Sequence, residues 1–217
     1  MSRLFIFCGE YGSGKTQVAV NYSKYLAKKH KRAKLVDLDI VNPFFRSRDS
    51  LKELKESQVD VIFNKEYGEA DLPALPPEVI SSFVTEEPVV FDVGGDDGAV
   101  VLGRYYYKIT QTDHEFWMVV NTNRPYTSTV EGIRTIKERI EKKSRLKITG
   151  LINNSNLGEL TEVEHILEGE ELVLKAAQEL KLKTIFTAVK TELVDDVKDK
   201  LKTEIFPVQL DYKLPWL

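Results

Sequence analysis

"LFIFCGEYGSGKT" (Leu4–Thr16) runs from a short apolar segment into a loop with glycines at 9, 12 and 14, then into Lys15 and Thr16. The spacing Gly9-x-x-x-x-Gly14-Lys15-Thr16 is that of a phosphate-binding loop set between a buried strand and a helix. Glycines let the chain turn with its N–H groups inward. The helix that follows adds unpaired N–H groups and the positive end of its dipole. In such a loop the lysine spans the β- and γ-phosphates of a nucleoside triphosphate, and the hydroxyl reaches Mg2+. The expected nucleotide contacts are Gly9, Tyr11, Gly12, Ser13, Gly14, Lys15, Thr16 and Gln17, with Lys15 also catalytic and Thr16 also a metal ligand.

Working outward, short apolar runs recur, each followed by residues at helical spacing. "LFIFC" (4–8) precedes a helix in which Val18, Tyr22, Tyr25 and Leu26 share a face. "AKLVDLD" (33–39), "PVVFDV" (88–93), "EFWMVVN" (115–121), "LKITGLI" (146–152) and "KTIFTAV" (183–189) read as further strands. Polar helical stretches are expected near 47–57 and 127–143, the second with Ile133, Ile136 and Ile140 inward. Region 58–86 is less regular, because Pro73, Pro76 and Pro77 interrupt any long element. In 161–181 either Thr161 and Glu164 form a capping box or Gly169 marks a later helix start. Strands apolar on both faces, alternating with helices, predict an α/β fold: a doubly wound, mostly parallel sheet with helices on both faces. One domain over 1–217 is expected. In such sheets ligands bind at the carboxyl ends of strands, which selects the loops to read.

Two further strand ends carry acids. "LVDLD" places Asp37 and Asp39 two residues apart, on one side of an extended chain. Such a pair is costly unless a cation offsets it, and Mg2+ on a triphosphate would do so; solvated turn residues are the plainer alternative. "VVFDVGGDDG" ends an apolar strand on Asp92, the position of a Walker B-type metal acid. Gly95, three residues on, is placed to bring an N–H to a γ-phosphate, in a loop that loss of that phosphate would release.

Composition removes several classes. Lys and Arg number 31 against 34 Asp and Glu, so no basic footprint for nucleic acid is present. A single cysteine, Cys8, excludes an internal disulfide and any Cys-x-x-Cys metal pair. No apolar run reaches the length of a membrane span, and the tail "IFPVQLDYKLPWL" is no basic amphipathic anchor, so a cytoplasmic protein is expected. The tail apolars, Trp216 among them, read as packing onto the domain, and the aromatics of "RYYYK" (104–108) as core residues or a partner surface.

"GEYGSGKT", "VDLD" and "FDVGG", in that order, resemble the MinD/ParA/Mrp group of P-loop ATPases. That resemblance implies a slow Mg2+-dependent ATPase that binds ATP, forms nucleotide-dependent homodimers and switches a protein partner. It further implies that Asp37 and Asp92 act through the metal's water shell and that Asp39 orients the attacking water. In "GLINNSN" it implies an adenine contact at Asn154, and near Ala188–Thr191 a segment closing over the base. The departure is Glu10, where the group's loop has a second lysine. A carboxylate is repelled by phosphate, so Glu10 is expected to point to solvent, a basic side chain or a partner. Arg46 and Arg48 are either a substitute cation or surface charges. Competing readings are a GTP-dependent metallochaperone of the maturation type, a small-molecule P-loop kinase and a non-hydrolysing nucleotide sensor.

Overall fold

The computed structural model describes residues 3–38, 48–62 and 77–209. Asp39, Arg46 and Trp216 lie outside them, as does the side chain of Arg48. The described strands are β1 (Leu4–Cys8), β2 (Ala33–Asp37), β3 (Val59–Ile62), β4 (Val89–Asp92), β5 (His114–Val120), β6 (Gly150–Asn153), β7 (Lys183–Lys190) and β8 (Ile205–Val208). They form one sheet in the order β3-β2-β4-β1-β5-β6-β7-β8, and every pairing is parallel. The helices are α1 (Lys15–His30), α2 (Arg48–Glu56), α3 (Pro77–Ser81), α4 (Gly95–Arg104), α5 (Tyr106–Thr110), α6 (Val130–Ser144), α7 (Val163–Leu180) and α8 (Val194–Val197). This is the doubly wound architecture that the alternating pattern predicts. Because β1, β2 and β4 run parallel, the loops after them open on one edge of the sheet.

Strand alternation divides the core between the two faces. Leu4, Ile6 and Cys8 of β1 cluster with Leu102 of α4, Ile133 and Ile136 of α6 and Val173 of α7. Phe7 faces the other way, into a cluster with Val18, Ala19 and Leu26 of α1 and Leu54 of α2. Burying a side chain such as Val18 or Leu26 stabilises the fold by about 2 kcal/mol, and that is what holds α1, with its loop, against the sheet.

Two local expectations gain detail and two need correction. Region 58–86 contains β3, where Ala33–Val36 of β2 pair with Val59–Ile62, and the short helix α3. The tail contributes β8, which pairs with β7 from Ile205 to Val208. The strand read over 146–152 begins only at Gly150. Before it, Leu146 N–H is taken by Ser144 Oγ at 3.2 Å, Ile148 N–H by Glu141 Oε1 at 3.0 Å and Thr149 N–H by Phe116 O at 2.7 Å. The capping box of α7 sits one residue later than expected. Glu162 accepts from the N3 backbone and Glu162 N–H donates to His165 Nδ1 at 3.0 Å, while the Thr161 hydroxyl is committed to Gly158 O at 2.7 Å.

Gly169 neither starts nor ends that helix. A Cβ there would collide with the Oγ and Cβ of Ser155, so the missing side chain is what lets α7 approach the loop after β6.

Candidate nucleotide site

The loop after β1 has the geometry a phosphate cradle requires. Ser13 N–H closes a turn on Glu10 O at 3.1 Å, and Gly12 and Gly14 sit at φ 76° and 77°, left-handed values that disfavour any side chain. Gly14 caps α1, so Lys15 and Thr16 occupy its first turn. A Cβ on Gly14 would also strike the Asn154 amide, whose Nδ2 donates to Ser13 O at 2.7 Å. Ser13 is 1% exposed, and its hydroxyl finds no hydrogen-bond partner among the described residues.

Lys15 is 7% exposed. Its ammonium favours the thiolate form of Cys8 at the end of β1, but burial dominates and pushes the Cys8 thiol far above the ordinary range. Cys8 is therefore an inert residue beneath the loop.

The acids stand beside the loop. Asp37 and Asp92 are register partners at the ends of β2 and β4, 5% and 0% exposed. Leu35 and Val90, two residues earlier, belong to the cluster with α1, so alternation turns both carboxylates to the face on which Thr16 begins its helix. Two carboxylates and a hydroxyl are hard oxygen donors and suit Mg2+. Asp37 and Asp92, both read as metal acids, are brought side by side by the pairing of β2 with β4, while Asp39 lies outside the described residues. Gly94 is extended, at φ −65° and ψ 129°, and Gly95 opens α4. The segment after Asp92 therefore presents a helix N-terminus at this edge, where the sequence reading placed a loop bringing the Gly95 N–H to a γ-phosphate.

Glu10 turns to a basic side chain: its Oε2 accepts from Arg139 of α6, and its Oε1 accepts from Tyr11 N–H at 3.0 Å. Tyr11 is 75% exposed. Gln17 points elsewhere than into the cradle, its amide donating to Gln209 O at 2.5 Å beyond β8.

On the far side stands a group the sequence reading passed over. Asn121, 0% exposed at the end of β5, organises the loop to α6, and Arg124 in that loop donates from Nε to Gly12 O at 3.1 Å. An asparagine ending an apolar strand and the Arg-Pro pair after it were the available signals.

Among the described residues no group of three or more His, Cys, Asp or Glu could hold a metal ion by itself. Nor is any helix among them long and apolar enough to cross a membrane.

No family model matches the chain. It is similar to the signal recognition particle 54 kDa protein of Pyrobaculum islandicum, 32% identical over 92 residues, which is 42% of this chain and 21% of that protein. The fold is that of the cell division protein FtsY from Thermotoga maritima, with a TM-score of 0.60 and 21% identity over 87% of this chain and 62% of that one. The signal recognition particle 54 kDa protein from Aeropyrum pernix in complex with GDP superposes with a TM-score of 0.56 and 20% identity, over 86% of this chain and 41% of its own. This chain thus spans less than two thirds of the length of each.

These matches overturn the resemblance to the MinD/ParA/Mrp ATPases: the similar proteins are signal recognition particle and FtsY proteins, and the nucleotide in the Aeropyrum complex is GDP. ATP as the nucleotide, and ATP hydrolysis as the activity, are corrected with it. The adenine contact implied for Asn154 rested on that resemblance alone. The physical reason for the confusion is that a phosphate loop and strand-end acids recognise triphosphate and Mg2+, which every such fold shares, and carry no information about the base.

Proposed function

We propose that the chain is a GTP-binding switch domain of the signal recognition particle type, which hydrolyses GTP with Mg2+ and docks on a partner nucleotide-binding domain according to the nucleotide it holds. The observation that carries this reading is the sequence similarity to the Pyrobaculum 54 kDa protein, together with an intact phosphate loop on a fold that binds GDP in the Aeropyrum protein.

The residues take these roles. The N–H groups from Gly12 to Thr16 cradle the phosphates, and Lys15 neutralises them. Thr16, Asp37 and Asp92 would hold Mg2+, the acids through its water shell, and the ion would supply stabilisation of charge on the phosphates. The Gly95 N–H reaches the γ-phosphate, so that α4 is the element that responds to its loss. Asp39 is the candidate to orient the attacking water. Asn154 holds the cradle in shape through the Ser13 carbonyl.

Displacement of fluorescent GDP from the purified chain tests the reading. GTP and GDP should compete and ATP should not, Mg2+ should strengthen binding, and Lys15→Ala should abolish it. Equal competition by ATP, or no binding to the wild-type chain, would remove the proposal. Phosphate release from GTP, and elution size with a non-hydrolysable analogue and a candidate partner domain, test hydrolysis and docking separately.

A further inference from the structure

We propose that Arg124 is a phosphate-binding residue of the nucleotide site, supplying in cis a second positive charge beside Lys15. This rests on the guanine-nucleotide reading above and adds a residue to that site.

Three observations lead to it. The first is how firmly the arginine is delivered. The Asn121 side chain accepts from Asn123 N–H at 3.1 Å and Asn156 N–H at 3.2 Å and donates to Asn156 O at 3.0 Å, so three of the four hydrogen-bonding capacities of this buried amide go into fixing the loop. Its main-chain carbonyl accepts from Arg124 N–H at 3.2 Å and from Thr127 Oγ1 at 2.6 Å. Pro125 then opens a 3-10 turn and biases Arg124 to the extended conformation it has, φ −106° and ψ 139°. Function-bearing side chains are commonly supported in this way.

The second is where the side chain lies. Nε donates to Gly12 O at 3.1 Å, and a Cβ on Gly12 would stand 3.1 Å from Nε and 3.2 Å from Cζ. The guanidinium is laid against the lip of the phosphate loop. A guanidinium carries five N–H donors, and this contact uses only one.

The third is charge. Arg124 forms no ion pair with a described residue. The acid nearest in sequence to that lip, Glu10, is occupied by Arg139. An arginine kept beside a cradle for anions, with its donors in hand and no carboxylate to neutralise it, is arranged for a di- or triphosphate. The plainer alternative is a clip in which Arg124 merely holds the Gly12 carbonyl. That role needs a donor and no charge, which makes the two separable.

The test compares wild type with Arg124→Lys, Arg124→Gln and Arg124→Ala, using fluorescent GDP and a fluorescent non-hydrolysable GTP analogue over a range of salt. Unlabelled guanosine serves as a competitor that lacks phosphate, and thermal melts confirm that each variant folds. If Arg124 binds phosphate, the Gln and Ala variants lose about tenfold or more in affinity for both nucleotides. Their salt dependence becomes shallower, Lys recovers most of the loss, and guanosine binding is unmoved. If Gln binds like wild type with the same salt dependence, or if guanosine weakens in parallel with GDP, Arg124 is a clip and the proposal is overturned. A wild-type chain that takes up no guanine nucleotide would end the underlying reading and this one together; nucleotide binding that ignores Arg124 would end only this one.

Discussion

Asn154 donates from Nδ2 to the main-chain carbonyl of Ser13 at 2.7 Å, tying the loop after β6 to the loop after β1. A loop with left-handed glycines at 12 and 14 has a large conformational freedom to lose when it closes on phosphate. A fixed carbonyl removes part of that loss before the ligand arrives. Asn154→Ala is expected to lower GDP affinity about fivefold to tenfold, and to lower stability by about 1 kcal/mol, the usual worth of one buried hydrogen bond. Titration calorimetry beside urea unfolding checks it. Unchanged affinity with reduced stability would make Asn154 a purely structural tie.

Glu10 and Arg139 form a further link between the phosphate loop and a neighbour, here α6. The pair is partly exposed, with side chains 16% and 40% accessible, so its coupling is expected near 1 kcal/mol. Glu10→Lys sets two cations against each other and should destabilise the fold; Glu10→Lys with Arg139→Glu should recover most of that loss. A double-mutant cycle by urea unfolding at low and high salt measures the coupling directly. A coupling near zero at low salt would show that Glu10 is held by its loop rather than by α6.

The parts of this molecule that follow from local chemistry were legible in the sequence. The turn and helix start at Gly9 to Thr16 could be read directly, because both are decided within eight residues. Asp92 at the end of an apolar run likewise announced a sheet-edge acid. What depends on tertiary pairing was not legible. Asp37 sits beside Asp92 because β2 pairs with β4, and no spacing along the chain reports that. Ile205–Val208 reads as a tail until β7 offers it a ladder. Arg124 is one charged residue among many until the loop around Asn121 carries it to Gly12. The base was misread for a different reason: the motifs that stood out bind phosphate and metal, which adenine and guanine nucleotides have in common.

Gly169 gives a packing prediction at the same edge. Any Cβ on this residue of α7 would occupy the space of the Ser155 side chain, and Ser155 Oγ also accepts from Thr122 N–H at 3.2 Å in the loop that carries Arg124. Gly169→Ala should therefore cost about 1–3 kcal/mol through overpacking, against a gain of up to about 1 kcal/mol from better helix propensity. Adding Ser155→Gly should return part of the loss by clearing the space. Thermal unfolding of the two variants decides: a Gly169→Ala protein as stable as wild type would mean that α7 can shift without penalty.

Glu141 of α6 carries a pH prediction whose sign can be worked out. It is 8% exposed, and burial by itself would raise its pKa. Hydrogen bonds from Lys147 and Lys137, each at 2.9 Å, and from Ile148 N–H at 3.0 Å outweigh the burial and hold the carboxyl below its ordinary value. A folded-state pKa below the unfolded one means that the ionised group stabilises the fold. That contribution is complete above the ordinary carboxylate range, about pH 4, and is lost as pH falls through the lower folded value. Glu141→Gln should accordingly cost about 2 kcal/mol near pH 7, and the gap to wild type should narrow on acidification below about pH 4. Lys147→Ala should change stability far less than Glu141→Gln does, because that side chain is 86% exposed and its pairing is screened by water. Urea unfolding of the three proteins from neutral to acidic pH measures both. A gap between Glu141→Gln and wild type that stays constant with pH would show that the carboxylate's charge contributes nothing and that only its shape is used to anchor Ile148 at the entry to β6.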